Sequence, residues 1–271
     1  MNADSHVIEA GAGSPLVLLH AFPLNASMWA PQREVLGAEW RVLCPDQRGF
    51  GGTPLPAGDD PSMDLLADDV AAMLDARGVD QPVVLGGLSM GGYVAMAFWR
   101  RHRERVAGLV LADTKAGADP PAAAENRLRI AREVVAAGSS AQLVDEVLPQ
   151  LLGPTTQSEL PLVRGRVKAL VESAPAYAVA WAQRAMASRP DSFETLHTVD
   201  VPALVIVGEE DALAPPADAR AMADAISGAQ LVTVEGAGHL SSLEAPDAFN
   251  AALSAFLGGV LPRGDDLAHD Q

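Results

Sequence analysis

The segment Gly87-Leu88-Ser89-Met90-Gly91-Gly92 sets a serine among small residues, directly after the apolar run 82–86 and directly before the helix-like stretch 93–102. A serine on a sharp strand-to-helix turn presents its hydroxyl as a nucleophile, and residues two positions to either side must be small for the strand and helix to pass. Gly87 and Gly91 meet that demand. Serine is a weak nucleophile, so Ser89 needs an imidazole to take its proton, and the imidazole needs a carboxylate to hold its tautomer.

Six histidines are available. His239 stands in the Gly-rich loop 235–240, just past the last strand-like run, and is the expected base under the chain order Ser, acid, His. His20 precedes Ser89, ends the first long apolar run and is expected to order the loop Ala21-Phe22-Pro23; His6, His102, His197 and His269 read as solvated side chains. Asp211, at the end of the run 204–211, is the expected acid, because α/β sheets place functional groups at the carboxyl ends of strands. Its rival is Asp113, which also follows a strand. An attacked carbonyl becomes an oxyanion that needs two preorganised donors. The backbone N–H groups of Met90, at a helix start, and of Phe22 are the candidates; Pro23 has no N–H to offer.

Short apolar runs at 16–21, 42–45, 83–87, 106–112, 203–208 and 231–234 alternate with helical patterns, which predicts a mostly parallel α/β sheet flanked by helices. Pro82 and Pro202 mark strand entrances. Leu65, Leu66, Val70, Met73 and Leu74 recur at helical spacing and predict an amphipathic helix on the sheet. Residues 115–196 break the rhythm with helical stretches at 122–137, 141–152 and 160–187, separated by the turn signals 138–140 and 153–156, and Pro175 is expected to kink or break the third. These patterns predict a core of 1–114 and 197–261, a helical cap of 115–196 inserted after a central strand, and a mobile tail, 262–271.

The chain has 271 residues and a formal charge of −16, which disfavours nucleic-acid and anionic-membrane partners. Cys44 is the only cysteine, sits in an apolar run and reads as a buried thiol, so neither an intrachain disulfide nor a cysteine-rich metal site is expected. The first residues lack the pattern of a signal peptide and no apolar run approaches the roughly 20 residues of a membrane span, so a cytoplasmic location is expected.

With Ser89, Asp211 and His239 in order, and with His20-Ala21-Phe22-Pro23 and Asp46-Gln47-Arg48-Gly49-Phe50-Gly51-Gly52-Thr53 upstream, the chain resembles the α/β-hydrolase superfamily over nearly its whole length. It is similar within that group to small bacterial esterases, 3-oxoadipate enol-lactonase-like hydrolases and cofactor-free haloperoxidases or perhydrolases. The resemblance implies an α/β-hydrolase fold, no cofactor, Asp211 rather than Glu209 or Glu210 as the acid, and hydrolysis of a small-molecule ester or lactone through an acyl-enzyme. Enol-lactone hydrolysis, C–C bond hydrolysis and perhydrolysis use the same machinery, and slow-turnover hormone receptors share it as well. Dehalogenase and epoxide hydrolase chemistries generally use an aspartate where Ser89 stands. Two features bear on detail. Ala21 replaces the usual glycine before the oxyanion residue, and Pro23 after it resembles the perhydrolase group. Arg48 is expected to tie loops together rather than to take part in chemistry.

Trp181, Met186, Leu148, Leu151 and Leu152 of the cap are candidate pocket residues. Residues 115–190 hold nine Lys or Arg and seven Asp or Glu, a net +2 against −18 elsewhere. Arg127, Arg129, Arg164 and Arg184 can serve either to bind a carboxylate-bearing substrate or to dock the cap on an acidic body, and the second is the simpler expectation for mixed surface charge.

Overall fold

The computed structural model describes residues 5–260. Seven strands form one sheet: β1 (Val7–Ala10), β2 (Ser14–Leu19), β3 (Trp40–Pro45), β4 (Val83–Leu88), β5 (Val106–Ala112), β6 (Ala203–Gly208) and β7 (Gln230–Val234). Their spatial order is β1-β3-β2-β4-β5-β6-β7, with β1 antiparallel to β3 and every other neighbouring pair parallel. The central strands β2, β4, β5 and β6 are almost wholly buried, which is why they read as continuous Val, Leu and Ile runs rather than as alternation.

The helices are α1 (Ala30–Leu36), α2 (Met63–Ala76), α3 (Met90–His102), α4 (Pro121–Ala137), α5 (Leu143–Leu151), α6 (Pro154–Glu159), α7 (Pro161–Glu172), α8 (Ala176–Ala187), α9 (Phe193–Leu196), α10 (Pro216–Ala225), α11 (Ser241–Glu244) and α12 (Pro246–Val260). Ser62 starts α2 by accepting a hydrogen bond from the Leu65 N–H at 3.1 Å, and the helix buries Leu66, Val70, Met73 and Leu74 against its neighbours. α2 packs on α3, which crosses β2, β4 and β5; α1 packs on α12, which reaches β6 and β7. Helices α4 to α8 fall between β5 and β6, with α4 and α8 packed along each other. α9 packs against α3 and α10.

One sequence expectation holds and two change. The stretch 160–187 is two helices, α7 and α8, because Pro175 at the entry of α8 has no N–H to continue α7. The segment 153–156 opens α6 instead of forming only a turn: Pro154 occupies the first helical position, where its missing N–H costs nothing. β1 is an additional edge strand. The tail 262–271 lies outside the described residues.

Arg48 ties loops together as expected. It donates two hydrogen bonds of 2.7 Å to the Asp69 carboxylate and a third to Asp59, and its guanidinium lies 6.0 Å from the Trp181 ring centre. Burial disfavours its charge, yet Asp69 and Asp59 outweigh that and raise its pKa further. Arg48→Met removes both of these hydrogen bonds from the buried Asp69 carboxylate and is expected to lower the unfolding free energy by about 3 kcal/mol or more in urea titration. A loss below about 1 kcal/mol would show that water readily replaces the guanidinium.

Asp46 acts similarly, accepting from the Ala26 and Gly52 amides at 2.7 and 2.9 Å. Cys44 is buried, and burial pushes its thiol up to about 12, so it is not a nucleophile at neutral pH. Among the described residues no helix is long and apolar enough to cross a membrane.

Candidate active site

Ser89 joins β4 to α3 with φ 55° and ψ −113°, a conformation that costs a non-glycine residue on the order of 1–3 kcal/mol. The flanking glycines make the turn possible. A Cβ on Gly87 would stand 2.1 Å from the Gly91 carbonyl oxygen, and one on Gly91 would stand 2.2 Å from that of Leu19. The surroundings hold the strained residue from both sides: its N–H donates to the Ala112 carbonyl at 2.9 Å, and its own carbonyl accepts from the Thr114 hydroxyl at 2.8 Å.

His239 Nε2 lies 2.8 Å from Ser89 Oγ, and Nδ1 lies 2.9 and 2.8 Å from the two Asp211 carboxylate oxygens. A carboxylate only accepts, so Nδ1 carries the proton and Nε2 is left as acceptor for the Ser89 hydroxyl. Asp211 is itself fixed, since Oδ1 accepts from the amides of Leu213 and Ala214 at 2.8 and 2.9 Å. The neighbouring acids serve elsewhere. Glu210 takes the Thr155 amide at 2.9 Å, at the start of α6, and Glu209 lies 3.3 Å from the Gly236 amide. Glu244 braces the His239 loop by accepting from the amides of Leu240 at 2.9 Å and Gly153 at 2.8 Å.

Asp113, the rival acid, is fully buried but contacts the ends of both loops instead of His239. Its carboxylate accepts from Gly208 N–H at 2.8 Å and from Ser241 N–H at 3.2 Å, so it ties the strand that leads to Asp211 to the turn that follows His239. Burial raises its pKa well above the usual carboxylate range, and the charge of Asp211 pushes in the same direction. A raised folded-state pKa means that the native protein binds the proton more tightly than the unfolded chain. The resulting stability is complete below about pH 4, the unfolded value, and is lost as pH rises through the folded value. Asp113→Asn cannot titrate, so its Tm should fall less than that of the parent as pH is raised from about 4 towards neutrality; parallel Tm curves would overturn this assignment of charge.

Among the described residues the amides of Phe22 and Met90 take part in no turn or loop hydrogen bond, and Phe22 and Ser89 line one cavity. His20 orders the Phe22 loop as expected. It is fully buried, its Nδ1 donates to Ala21 O at 2.9 Å, its Nε2 accepts from Gln47 N–H at 2.9 Å, and burial lowers its pKa, keeping the ring neutral.

The cavity over Ser89 and His239 measures about 370 Å³. Its apolar side includes Ile130, Val147, Leu151, Met186 and Leu213. Met186 and Leu151 are thus placed as expected, whereas Trp181 and Leu148 require correction. Trp181 packs over Arg48 and donates its indole N–H to the Asp59 carbonyl at 3.3 Å. Leu148 on α5 and Leu152 just past its end line a second cleft of about 200 Å³, together with Arg164 and Lys168 of α7. Arg127 and Arg129 line the Ser89 cavity, Arg164 the second cleft, and Arg184 neither. Lys115, Arg127, Arg129, Lys168 and Arg189 pair with Asp119, Glu133, Glu146 and Glu172 of the same segment, whereas Arg166 reaches the core and donates to the Ser27 carbonyl at 3.0 Å.

Tyr93, Lys115 and Asp119 line the cavity without having been singled out from sequence. A usable signal existed for Lys115, which follows the carboxyl end of β5, where such sheets place functional groups.

Comparison with known proteins agrees with this fold. A thermophilic esterase from Thermogutta terrifontis, solved with malate bound, is 42% identical with a TM-score of 0.92, covering 94% of this chain and 93% of that one. An enol-lactonase from Burkholderia xenovorans LB400 is 30% identical with a TM-score of 0.85, covering 94% and 96%. A 2-hydroxymuconate semialdehyde hydrolase from Pseudomonas sp. (strain CF600) is 29% identical over 265 residues, 92% of this chain and 88% of the relative. The family described as alpha/beta hydrolase fold matches residues 14–246. A parallel sheet carrying a strained serine at the end of β4, and relatives aligned over nearly the full length, lead to one conclusion: this chain belongs to the alpha/beta hydrolase family.

Proposed function

We propose that the protein is a serine hydrolase that cleaves small to medium carboxylic esters or lactones through an acyl-enzyme. The observation that carries this reading is the unbroken hydrogen-bonded line from Ser89 Oγ through His239 to Asp211, opening on a cavity of about 370 Å³. In the first half-reaction Ser89 Oγ bonds to the substrate carbonyl carbon while its proton passes to His239 Nε2. The carbonyl oxygen gathers negative charge and accepts hydrogen bonds from the Phe22 and Met90 N–H groups, each contributing about 3 kcal/mol to the barrier reduction. His239 then protonates the departing alkoxide and an alcohol leaves. In the second half, water gives a proton to His239, attacks the acyl carbon, and the carboxylic acid departs as Ser89 recovers its proton.

The helices of 115–196 act in this reading as the cap that selects substrates, because they supply the apolar side of the cavity. The esterase and enol-lactonase relatives support ester and lactone bonds as the target. Acid-quenching the protein during turnover of a short-chain aryl ester tests the covalent step: the peptide that contains Ser89 should gain the mass of the acyl group. Turnover with the acyl mass on another residue, or tight ligand retention without turnover, would replace this reading.

A further inference from the structure

We propose that Lys115 and Arg127 form a carboxylate subsite in the Ser89 cavity, so that the preferred ester or lactone carries a negative charge away from the bond being broken. The inference rests on the hydrolase reading and names its substrate class.

Lys115 directly follows Thr114, whose hydroxyl holds the Ser89 carbonyl, and both Lys115 and Arg127 line the cavity that contains Ser89 and His239. The charges around them do not balance. Asp119 is the carboxylate they share, and both of its oxygens are occupied: Oδ1 takes Arg189 Nη2 at 2.9 Å, and Oδ2 takes Arg127 Nε at 2.5 Å. Lys115 Nζ stands 3.9 Å from Oδ1, beyond hydrogen-bond reach. Burial works against the charge on Asp119, but Arg189 and Arg127 outweigh it and hold its pKa below the usual range, so it remains a single negative charge among three cations.

The three cations differ in what they have left to give. Arg189 is buried, with a side chain 3% exposed, donates to the Met186 and Gly117 carbonyls, and lies 4.1 Å from the Tyr93 ring centre. Lys115 and Arg127 are 26% and 21% exposed. Arg127 directs Nη1 to Gln183 Oε1 at 3.1 Å, while its Nη2 makes no hydrogen bond among the described residues. Glu146, the other acid of the cavity, faces Arg129 at 3.4 Å and does not offset Lys115. Holding the loop around Asp119 requires only the two arginines. The ammonium of Lys115 is surplus to that task and only loosely paired, 3.9 Å from Asp119, so an anion entering the cavity can approach it more closely than Asp119 does.

The test compares monomethyl glutarate with dimethyl glutarate, which have the same acyl chain with and without the charge, by pH-stat kinetics. The parent should favour the half-ester in kcat/KM, and Lys115→Met should shrink that ratio about 10- to 100-fold. Lys115→Arg should restore most of it, and added salt should narrow it. In parallel, calorimetry should detect glutarate binding to Ser89→Ala protein and its loss in the Ser89→Ala, Lys115→Met double variant. A parent with no charge preference, or equal losses on both esters in Lys115→Met, overturns the subsite. Ser89-dependent turnover of both esters without glutarate binding sinks the subsite and spares the hydrolase reading; glutarate binding through Lys115 with no turnover does the reverse.

Discussion

Ser89→Ala is expected to lower kcat on a short-chain aryl ester by about 10⁶-fold, leaving only what the oxyanion donors and substrate binding provide. The loss is large because the serine, histidine and aspartate act as one unit: without Oγ no acyl-enzyme forms, and a water placed by His239 lacks the nucleophile's fixed position. Alanine keeps the same backbone geometry, including the positive φ at position 89 and the amide bond to Ala112, so the fold should persist with a Tm close to that of the parent. Steady-state kinetics and calorimetry on the same preparation check both halves. Residual turnover within about 10-fold of the parent would remove Ser89 from the reaction, since one factor of ten is only about 1.4 kcal/mol of barrier.

Asp211→Asn should cost about 10⁴-fold in kcat with the structure retained. An asparagine that keeps its oxygen at the Oδ1 position still accepts from the Leu213 and Ala214 amides, so the turn is preserved. Its NH₂ group, however, donates towards His239 Nδ1, which moves the imidazole proton to Nε2 and deprives the Ser89 hydroxyl of an acceptor. Asp113→Asn provides the contrast. Its carboxyl contacts Gly208 and Ser241 and makes no hydrogen bond to His239, so most of kcat should survive. If the two variants exchanged behaviours, the assignment of the acid would be reversed.

The sequence carried the parts of this site whose geometry is local. Gly87 and Gly91 specify the strained turn around Ser89 because only glycine tolerates a backbone approach of about 2 Å at its Cβ position. The apolar runs that became β2 to β6 were legible because burial on both faces demands continuous Val, Leu and Ile. β1 was not, since three half-buried residues and the exposed Glu9 at a sheet edge carry little pattern. Pro175 marked a helix boundary, and Pro154, read as part of a turn, proved to start a helix, because proline forbids continuation into itself while fitting a first turn.

What the sequence by itself determined was therefore the family, the order of the strands along the chain and the candidate serine, base and acids, all written in short segments with their own backbone requirements. Tertiary structure alone decided which acid meets His239, which of two leucines on one helix faces Ser89, and that Lys115 shares Asp119 with two arginines. Asp113 and Asp211 both follow strands, and Leu148 and Leu151 both lie on α5; what separates them is the direction in which neighbouring elements pack. Those choices depend on contacts between residues far apart in the chain, for which local spacing holds no record.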